Sequence, residues 1–194
     1  MTGAVLAKPP SVKGWCPGSL RPMMSGDGLV VRIKISGGRL DPATLRAIAD
    51  LGRRCGNGLF DLSHRANLQM RGVSDETLPQ VLDALDGLGL LSPDAASEQV
   101  LNVIAPPLTG LDGAALIDAH ATLAALESIL RDDVALHALP GKFGFVIDDG
   151  GALSTTSADV DIALEAVRDA GTTLVALRLA GAPEIAARVA ADEA

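Results

Sequence analysis

The sequence predicts an α+β fold, arranged as an α/β sandwich in which most neighbouring strands run antiparallel. The chain has 194 residues, enough for one globular domain or two small ones joined closely. Of these residues, 48% are apolar and 21% are charged, which is a globular composition. From residue 29 onwards, segments with strand and helix periodicity follow one another, and two strand-like segments adjoin between two helices.

The first 25 residues are predicted to form an irregular arm, because their prolines fix φ and remove hydrogen-bond donors. The segment LVVRIKI at 29–35 alternates as a strand does. Arg32 and Lys34 therefore lie on one face of this strand, and the apolar residues lie on the other.

The elements that follow predict a ferredoxin-like half-domain over residues 26–91. A helix should begin with Asp41 as its N-cap and Pro42 at its first helical position. Two strands and a second apolar helical stripe come next, at 59–62, 66–73 and 78–85. The resulting β-α-β-β-α order is most of a split βαβ unit.

A second α/β domain is predicted over residues 98–194, after a linker at 92–98. Its expected elements are strands at 100–105, 142–147, 160–164 and 172–179, a long helix at 112–131, and a terminal helix that begins at Pro183. The Asp-Asp-Gly-Gly sequence at 148–151 is interpreted as a hairpin turn.

Charge and composition exclude several classes of protein. The net charge is −8 and the chain has only three Phe, one Trp and no Tyr, so it lacks the stacking surfaces that single-stranded nucleic acid requires. No apolar tract has the length of a membrane span, and the start of the chain does not resemble a secretory signal. We therefore expect a cytoplasmic protein that binds neither nucleic acid nor a membrane.

The charge is unevenly distributed along the chain. Residues 1–73 carry a net charge of +7, and residues 74–194 carry −15. This asymmetry predicts a local anion-binding site in the first region. Attraction between two oppositely charged halves is the alternative interpretation.

Cys16 and Cys55 are the only cysteines. An iron–sulfur cubane needs about four thiolates and a structural zinc ion needs about four Cys or His ligands. We therefore expect this chain alone to bind no cluster and no metal. Cys55 is expected to be a small buried apolar residue, whereas Cys16 lies among glycine, proline and basic residues that favour a thiolate.

The segment SHRANLQMRGV at 63–73 carries the main candidate site. In a strand, Arg65, Asn67, Gln69 and Arg71 would share one face, with no carboxylate among them. Two guanidinium groups on one face suit bidentate binding of the carboxylates of an anionic ligand. These four residues are the predicted substrate-binding set, and an ordinary solvated strand face is the alternative.

Lys142 is the second candidate, at the entry to a predicted strand in the segment LPGKFGF. Its ammonium group is a compact charge with three donors, so it could hold an anion or donate a proton. Asp148 and Asp149 have no further ligand at a metal-binding spacing, and no metal site is predicted.

Three motifs resemble the precorrin-3B synthase branch of the nitrite and sulfite reductase superfamily, in its amino-terminal half. They are KGWCPG at 13–18 together with MMSGDGLVVR at 23–32, SHRANLQMRG at 63–72, and LPGKFGFVIDDGG at 139–151. The resemblance implies a ferredoxin-like half-domain followed by the first part of a reductase-type α/β domain. In complete members this unit is repeated, and the pseudo-twofold pair encloses the active site.

The resemblance also implies an activity, which is oxygen-dependent hydroxylation of precorrin-3A in aerobic cobalamin synthesis. Complete members carry a 4Fe-4S cluster, and the reductase relatives also carry sirohaem. Arg65 matches the reductase arginine that faces the sirohaem and the anion, and Lys142 matches the first lysine of the reductase pair after the Leu-Pro turn, so these two are the catalytic candidates. Asn67, Gln69 and Arg71 match neighbouring positions that line the tetrapyrrole. The implied partners are an anionic tetrapyrrole and either a second half with the cluster cysteines or a second copy.

Two departures from the reductase pattern bear on this assignment. Leu101 and Gly144 stand where the reductases place an arginine and a second lysine. Because reduction of sulfite or nitrite requires concentrated positive charge, these losses favour a polycarboxylate substrate. A non-catalytic binding module of the same fold and a sirohaem reductase remain as alternative functions.

Overall fold

The computed structural model describes residues 16–180 and, for the backbone, residues 187–190. In these residues the strands and α-helices are β1 (Met23–Ser25), β2 (Gly28–Ile33), α1 (Pro42–Cys55), β3 (Phe60–Leu62), β4 (Leu68–Val73), α2 (Leu78–Gly87), α3 (Ala95–Val100), β5 (Val103–Ile104), α4 (Ala119–Asp132), β6 (Phe145–Asp148), β7 (Ile162–Asp169), β8 (Thr172–Leu179) and β9 (Ala187–Ala190). The α+β class that the sequence predicts is confirmed.

The first sheet has four antiparallel strands in the order β1-β2-β4-β3. Helices α1 and α2 supply buried residues to the core that lies against this sheet. That core is fully buried at Val31, Ile33, Ile48, Leu51, Met70, Val81 and Leu85. Since side chains alternate along a strand, the polar residues of β2 and β4 project from the opposite face of the sheet. This arrangement confirms the ferredoxin-like half-domain.

The second sheet has five strands in the order β5-β6-β7-β8-β9. Strands β5, β6 and β7 run parallel, whereas β7, β8 and β9 run antiparallel. The buried core of this region joins Leu123 and Leu130 of α4 to Phe145 and Ile147 of β6. Helix α4 is the crossover connection that the parallel pair β5 and β6 requires.

The interpretation of residues 148–151 as a hairpin turn is wrong, because β6 and β7 are parallel. The Asp148 carboxylate accepts hydrogen bonds from the amides of Gly150 and Thr155, which orders a longer loop. This loop returns the chain to the other end of the sheet before β7 begins.

Helix α4 begins at Ala119, later than the helix predicted over 112–131. Asp118 is its N-cap and accepts a hydrogen bond from the amide of His120. Asp112 instead accepts from the amide of Ala114 in a turn. Aspartate side chains thus bind nearby amides outside the helix, which explains the delayed start.

The ends of the described chain also differ from prediction. Residues 187–190 form a strand paired with β8, whereas the sequence predicts a helix from Pro183, itself outside the described residues. Pairing with a sheet edge here overrides the helix propensity of alanine. Within the predicted arm, Met23–Ser25 pair with β2, and residues 1–15 lie outside the described part of the chain. The linker predicted at 92–98 is wrong, because α3, capped by Asp94, begins within it and continues to Val100.

Among the described residues, no helix has the length and apolar character needed to cross a membrane.

Candidate functional site

The polar face of the first sheet is centred on Arg32. Its Cα lies opposite that of Gln69 in the register of β2 and β4. The Arg32 Nε and Nη2 groups both donate to Gln69 Oε1, at 3.1 and 2.7 Å. The neutral amide thus fixes the guanidinium on this face without cancelling its charge.

Lys34 lies two residues after Arg32 and projects to the same side of the strand. Its Nζ donates to the carbonyl of Leu101 at 3.0 Å and to Asn102 Oδ1 at 2.5 Å. The pKa of Lys34 is lowered to about 8, mainly by burial and then by the charge of Arg32, with a smaller contribution from Arg65. Arg32, Lys34 and Arg65 therefore form one cation cluster.

Lys34 should give the stability of the protein a distinctive pH dependence. Its folded pKa of about 8 lies below the ordinary value of 10.5, so the unfolded chain binds more protons between these values. Burying the charged ammonium destabilises the folded protein fully below pH 8, and this cost falls as the pH rises from 8 to 10.5. Over that range the unfolding free energy of the wild type should therefore increase relative to that of Lys34→Met. Urea unfolding at pH 8 and at pH 10.5 measures this difference in unfolding free energy. The same change in unfolding free energy with pH in both proteins would contradict the prediction.

Arg65 and Lys142, the two catalytic candidates, lie together. Arg65 Nη2 donates to the backbone carbonyl of Lys142 at 2.8 Å, although the residues are 77 positions apart. The Lys142 side chain is exposed and lies just before β6. The segment carrying Lys142 thus closes one side of the cation cluster.

The strand predicted at 66–73 begins only at Leu68. The amide of Ser63 donates to the carbonyl of Asn67, and Ala66 has a φ of +55°, so these residues form a turn. Arg65 and Asn67 therefore do not alternate on a strand with Gln69, and the predicted four-residue face is wrong in this part.

Asn67 is only 5% exposed, and its side-chain oxygen accepts a hydrogen bond from the amide of Ile35 at 3.4 Å. Together with Lys34, it lines a cleft of about 260 Å³ that reaches Glu127 of α4. Burial raises the pKa of the Glu127 carboxyl, which accepts a hydrogen bond from Ser36 Oγ. Asn67 thus supports the turn that carries Arg65, and it lies beside Lys34 of the cation cluster.

The expectation that no carboxylate neutralises this face is wrong at Arg71. Its guanidinium pairs with Asp27 at 2.7 Å and with Asp61 at 3.2 Å. The hydrogen bond to Asp27 raises the pKa of Arg71 and lowers the pKa of Asp27. Arg71 therefore offers less free positive charge to a ligand than the sequence pattern suggests.

The cation cluster differs from Arg71 in this respect. Within residues 16–180, Arg32, Lys34 and Arg65 form no ion pair with a carboxylate. Lys142 likewise has no such partner in this part of the chain. Part of the positive charge predicted for the first region therefore lies in this cluster without a carboxylate partner among the described residues.

Glu98 of α3 binds the segment that precedes β1 and holds it next to this site. The Glu98 side chain is buried and accepts hydrogen bonds from the amides of Ser19 at 2.6 Å and Leu20 at 3.2 Å. Ser19 Oγ in turn donates to the carbonyl of Arg32. A Cβ at Gly18 would lie 2.2 Å from Glu98 Oε2, so a larger residue at that position would displace the Glu98 carboxylate.

Sequence reasoning missed Glu98, Asn102 and the roles of Arg32 and Lys34. The strand alternation did place Arg32 and Lys34 on one face, and this was the usable signal for them. The sequence carries no such signal for Glu98 and Asn102, because their hydrogen-bond partners lie in other segments of the chain.

The described residues do not fit an iron–sulfur cluster. Cys16 is exposed and Cys55 is buried, as expected for Cys55, and neither is in a disulfide. Within the described ranges, no group of three or more Cys, His, Asp or Glu side chains could hold a metal ion. Cys16 and Cys55 are the only cysteines in the sequence, so the set of about four thiolates that a cubane cluster needs would have to come from a partner. The cation cluster, in contrast, suits an anionic ligand.

Residues 21–88 match the family described as the nitrite/sulfite reductase ferredoxin-like half domain. A precorrin-3B synthase from a Sinorhizobium species is 31% identical over 169 residues, which is 87% of this chain. The chain belongs to the nitrite and sulfite reductase superfamily. The resemblance inferred from the three motifs is thereby confirmed at the level of the superfamily.

A nitrite reductase and a solved structure are also similar to this chain. A ferredoxin–nitrite reductase from Synechococcus elongatus is 33% identical over 135 residues, which is 67% of this chain. The NirA protein of Mycobacterium tuberculosis shares the fold over 79% of this chain, with a TM-score of 0.65 and 21% identity. The chain spans 36% of the length of the precorrin-3B synthase and 26% of that of the nitrite reductase. These curated relatives are oxidoreductases.

Proposed function

We propose that this chain is the substrate-binding half of an oxidoreductase of the precorrin-3B synthase type, which hydroxylates precorrin-3A with dioxygen. The supporting observation is the cation cluster of Arg32, Lys34 and Arg65, which has no carboxylate partner among the described residues. A tetrapyrrole of this pathway carries several carboxylates, and guanidinium groups bind carboxylates through two parallel hydrogen bonds.

Each residue of the site has a distinct part in this proposal. Arg32 and Arg65 bind acid side arms of the macrocycle, and Gln69 holds Arg32 in place. The backbone carbonyl of Lys142 accepts a hydrogen bond from Arg65, and in this proposal the Lys142 ammonium acts at the reacting edge of the substrate. Asn67 supports the turn, and Arg71 contributes least because its charge is already paired.

The redox chemistry would need a 4Fe-4S cluster, which supplies electrons when it is bound. Since the described residues lack its ligands, we propose that a partner completes the enzyme, either a second half with the cluster cysteines or a second copy of this chain. This chain would bind and orient the substrate. Alone, it should be inactive.

A nitrite or sulfite reductase is the second candidate, favoured by the 33% identity to the ferredoxin–nitrite reductase. The same cations would bind sirohaem carboxylates or a small oxyanion. The neutral residues Leu101 and Gly144 argue against it, because stabilising the charge that develops on an oxyanion requires more donors. A non-catalytic tetrapyrrole-binding module would show binding without turnover in any complex.

Titration with uroporphyrin, a porphyrin with eight carboxylates, tests the proposed function. The ligand fluorescence should change on binding at low salt, and the affinity should fall as salt screens the charges. Coproporphyrin, which has fewer carboxylates, should bind more weakly. Absence of binding at low salt would refute the proposal, and displacement of uroporphyrin by millimolar nitrite would favour the reductase instead.

A further inference from the structure

Asn102 is a buried polar residue between α3 and β5, and it is 5% exposed. Its side-chain Nδ2 donates to the carbonyls of Gln99 at 2.9 Å, Phe143 at 3.1 Å and Gly141 at 3.3 Å. Its Oδ1 accepts from the ammonium of Lys34. The amide has both ends engaged, and only this orientation places its donor towards carbonyls and its acceptor towards an ammonium.

These contacts connect parts of the site that are distant in sequence. Lys34 directly follows β2 of the first sheet, whereas residues 141–143 lead into β6 of the second. The carbonyl of Lys142, within that segment, accepts the hydrogen bond from Arg65. One side chain therefore forms hydrogen bonds both to Lys34 and to the segment that carries Lys142.

The hydrogen bonds of Lys34 leave it able to bind a ligand. An ammonium has three donors, and the Leu101 carbonyl and Asn102 Oδ1 occupy two of them. Because both acceptors are neutral, Lys34 keeps its charge, and its third donor is directed by the other two. An aspartate at position 102 would cancel this charge, and a leucine would remove one of the two acceptors.

We propose that Asn102 is a positioning residue that orients Lys34 and the 141–143 segment so that Lys34 and Lys142 face the same bound anion. This inference rests on the proposed function, since it names a residue that organises that site. A side chain that merely stabilises the start of β5 would have no reason to affect the charge of Lys34.

Two substitutions of Asn102 should have opposite effects on Lys34. The charged groups that act on Lys34 are Arg32 and Arg65, which lower its pKa, and Glu98 and Cys16, which raise it. Asn102→Asp adds a carboxylate, so the pH above which uroporphyrin binding is lost should move upward. Asn102→Leu removes an acceptor of the ammonium, so that pH should move downward. Both variants should bind about tenfold more weakly at neutral pH.

NMR of the ligand-free chain with isotope-labelled lysine separates this inference from the proposed function. Loss of a resonance in Lys34→Met assigns Lys34, and its titration midpoint should rise in Asn102→Asp and fall in Asn102→Leu. Gln99→Glu is the matched control, since it adds the same charge to an exposed side chain and should move the midpoint less. If uroporphyrin fails to bind the wild type, the proposed function is refuted, and the Lys34 midpoints still test Asn102. Equal midpoints in all the proteins would overturn the positioning role.

Discussion

Arg32→Ala should weaken uroporphyrin binding by about 10- to 100-fold, the loss expected for a charge-assisted hydrogen bond that is not replaced. Arg32 lies at the centre of the cation cluster, and no carboxylate within residues 16–180 pairs with it. The substitution also removes the partner of Gln69. Because a guanidinium stays charged, the loss of affinity should persist at every pH at which the carboxylates of the ligand are ionised. Fluorescence titration at low salt measures the effect.

Two other arginines provide the comparison for this result. Arg53 lies on α1 with an exposed side chain paired to Asp50, and Arg53→Ala should change the affinity by less than about twofold. Arg71→Ala should have an intermediate effect, because Asp27 and Asp61 already hold its guanidinium. Equal losses for Arg32→Ala and Arg53→Ala would show that the ligand senses only the net charge of the protein.

Glu98→Ala should lower the free energy of unfolding by about 2–4 kcal/mol, since buried donors left without a partner cost about 1–3 kcal/mol each. The Glu98 carboxylate is 4% exposed and accepts the amides of Ser19 and Leu20. Without it, the segment that contacts the Arg32 carbonyl through Ser19 should detach from the site. Urea unfolding gives the free energy, and limited proteolysis detects release of residues 16–20.

Glu98→Gln and Glu76→Ala are the controls for this prediction. Glutamine keeps one acceptor oxygen, so its cost should be smaller than that of alanine. Glu76 is exposed before α2, and its replacement should cost far less. If Glu98→Ala and Glu76→Ala cost the same, the buried carboxylate does not hold the segment in solution.

Elements with local signals could be predicted from the sequence. Asp41 and Pro42 encode the start of α1, and Asp41 accepts hydrogen bonds from the amides of Ala43 and Thr44 as an N-cap should. Strand β8 has the bounds 172–179 that its run of β-branched and apolar residues predicts. Capping and periodicity act over a few residues, so a single sequence carries them.

Features set by tertiary contacts could not be predicted in this way. The parallel direction of β6 and β7 and the strand β9 depend on pairing partners elsewhere in the chain. In the site, residue type suggested Arg65 and Lys142, but only the fold shows that they are adjacent. The pairing of Arg71 with Asp27 escaped prediction for the same reason, since the two residues are 44 positions apart.

The cation cluster of Arg32, Lys34 and Arg65 should bind the carboxylates of a tetrapyrrole, with Lys142 beside it. The most direct measurement is a two-dimensional amide NMR spectrum of the labelled chain during titration with uroporphyrin. We expect shift changes or line broadening to concentrate at Arg32, Lys34, Arg65 and Lys142, with α1 and α2 unaffected. Changes concentrated on α1 and α2, or spread evenly over the surface, would contradict the claim.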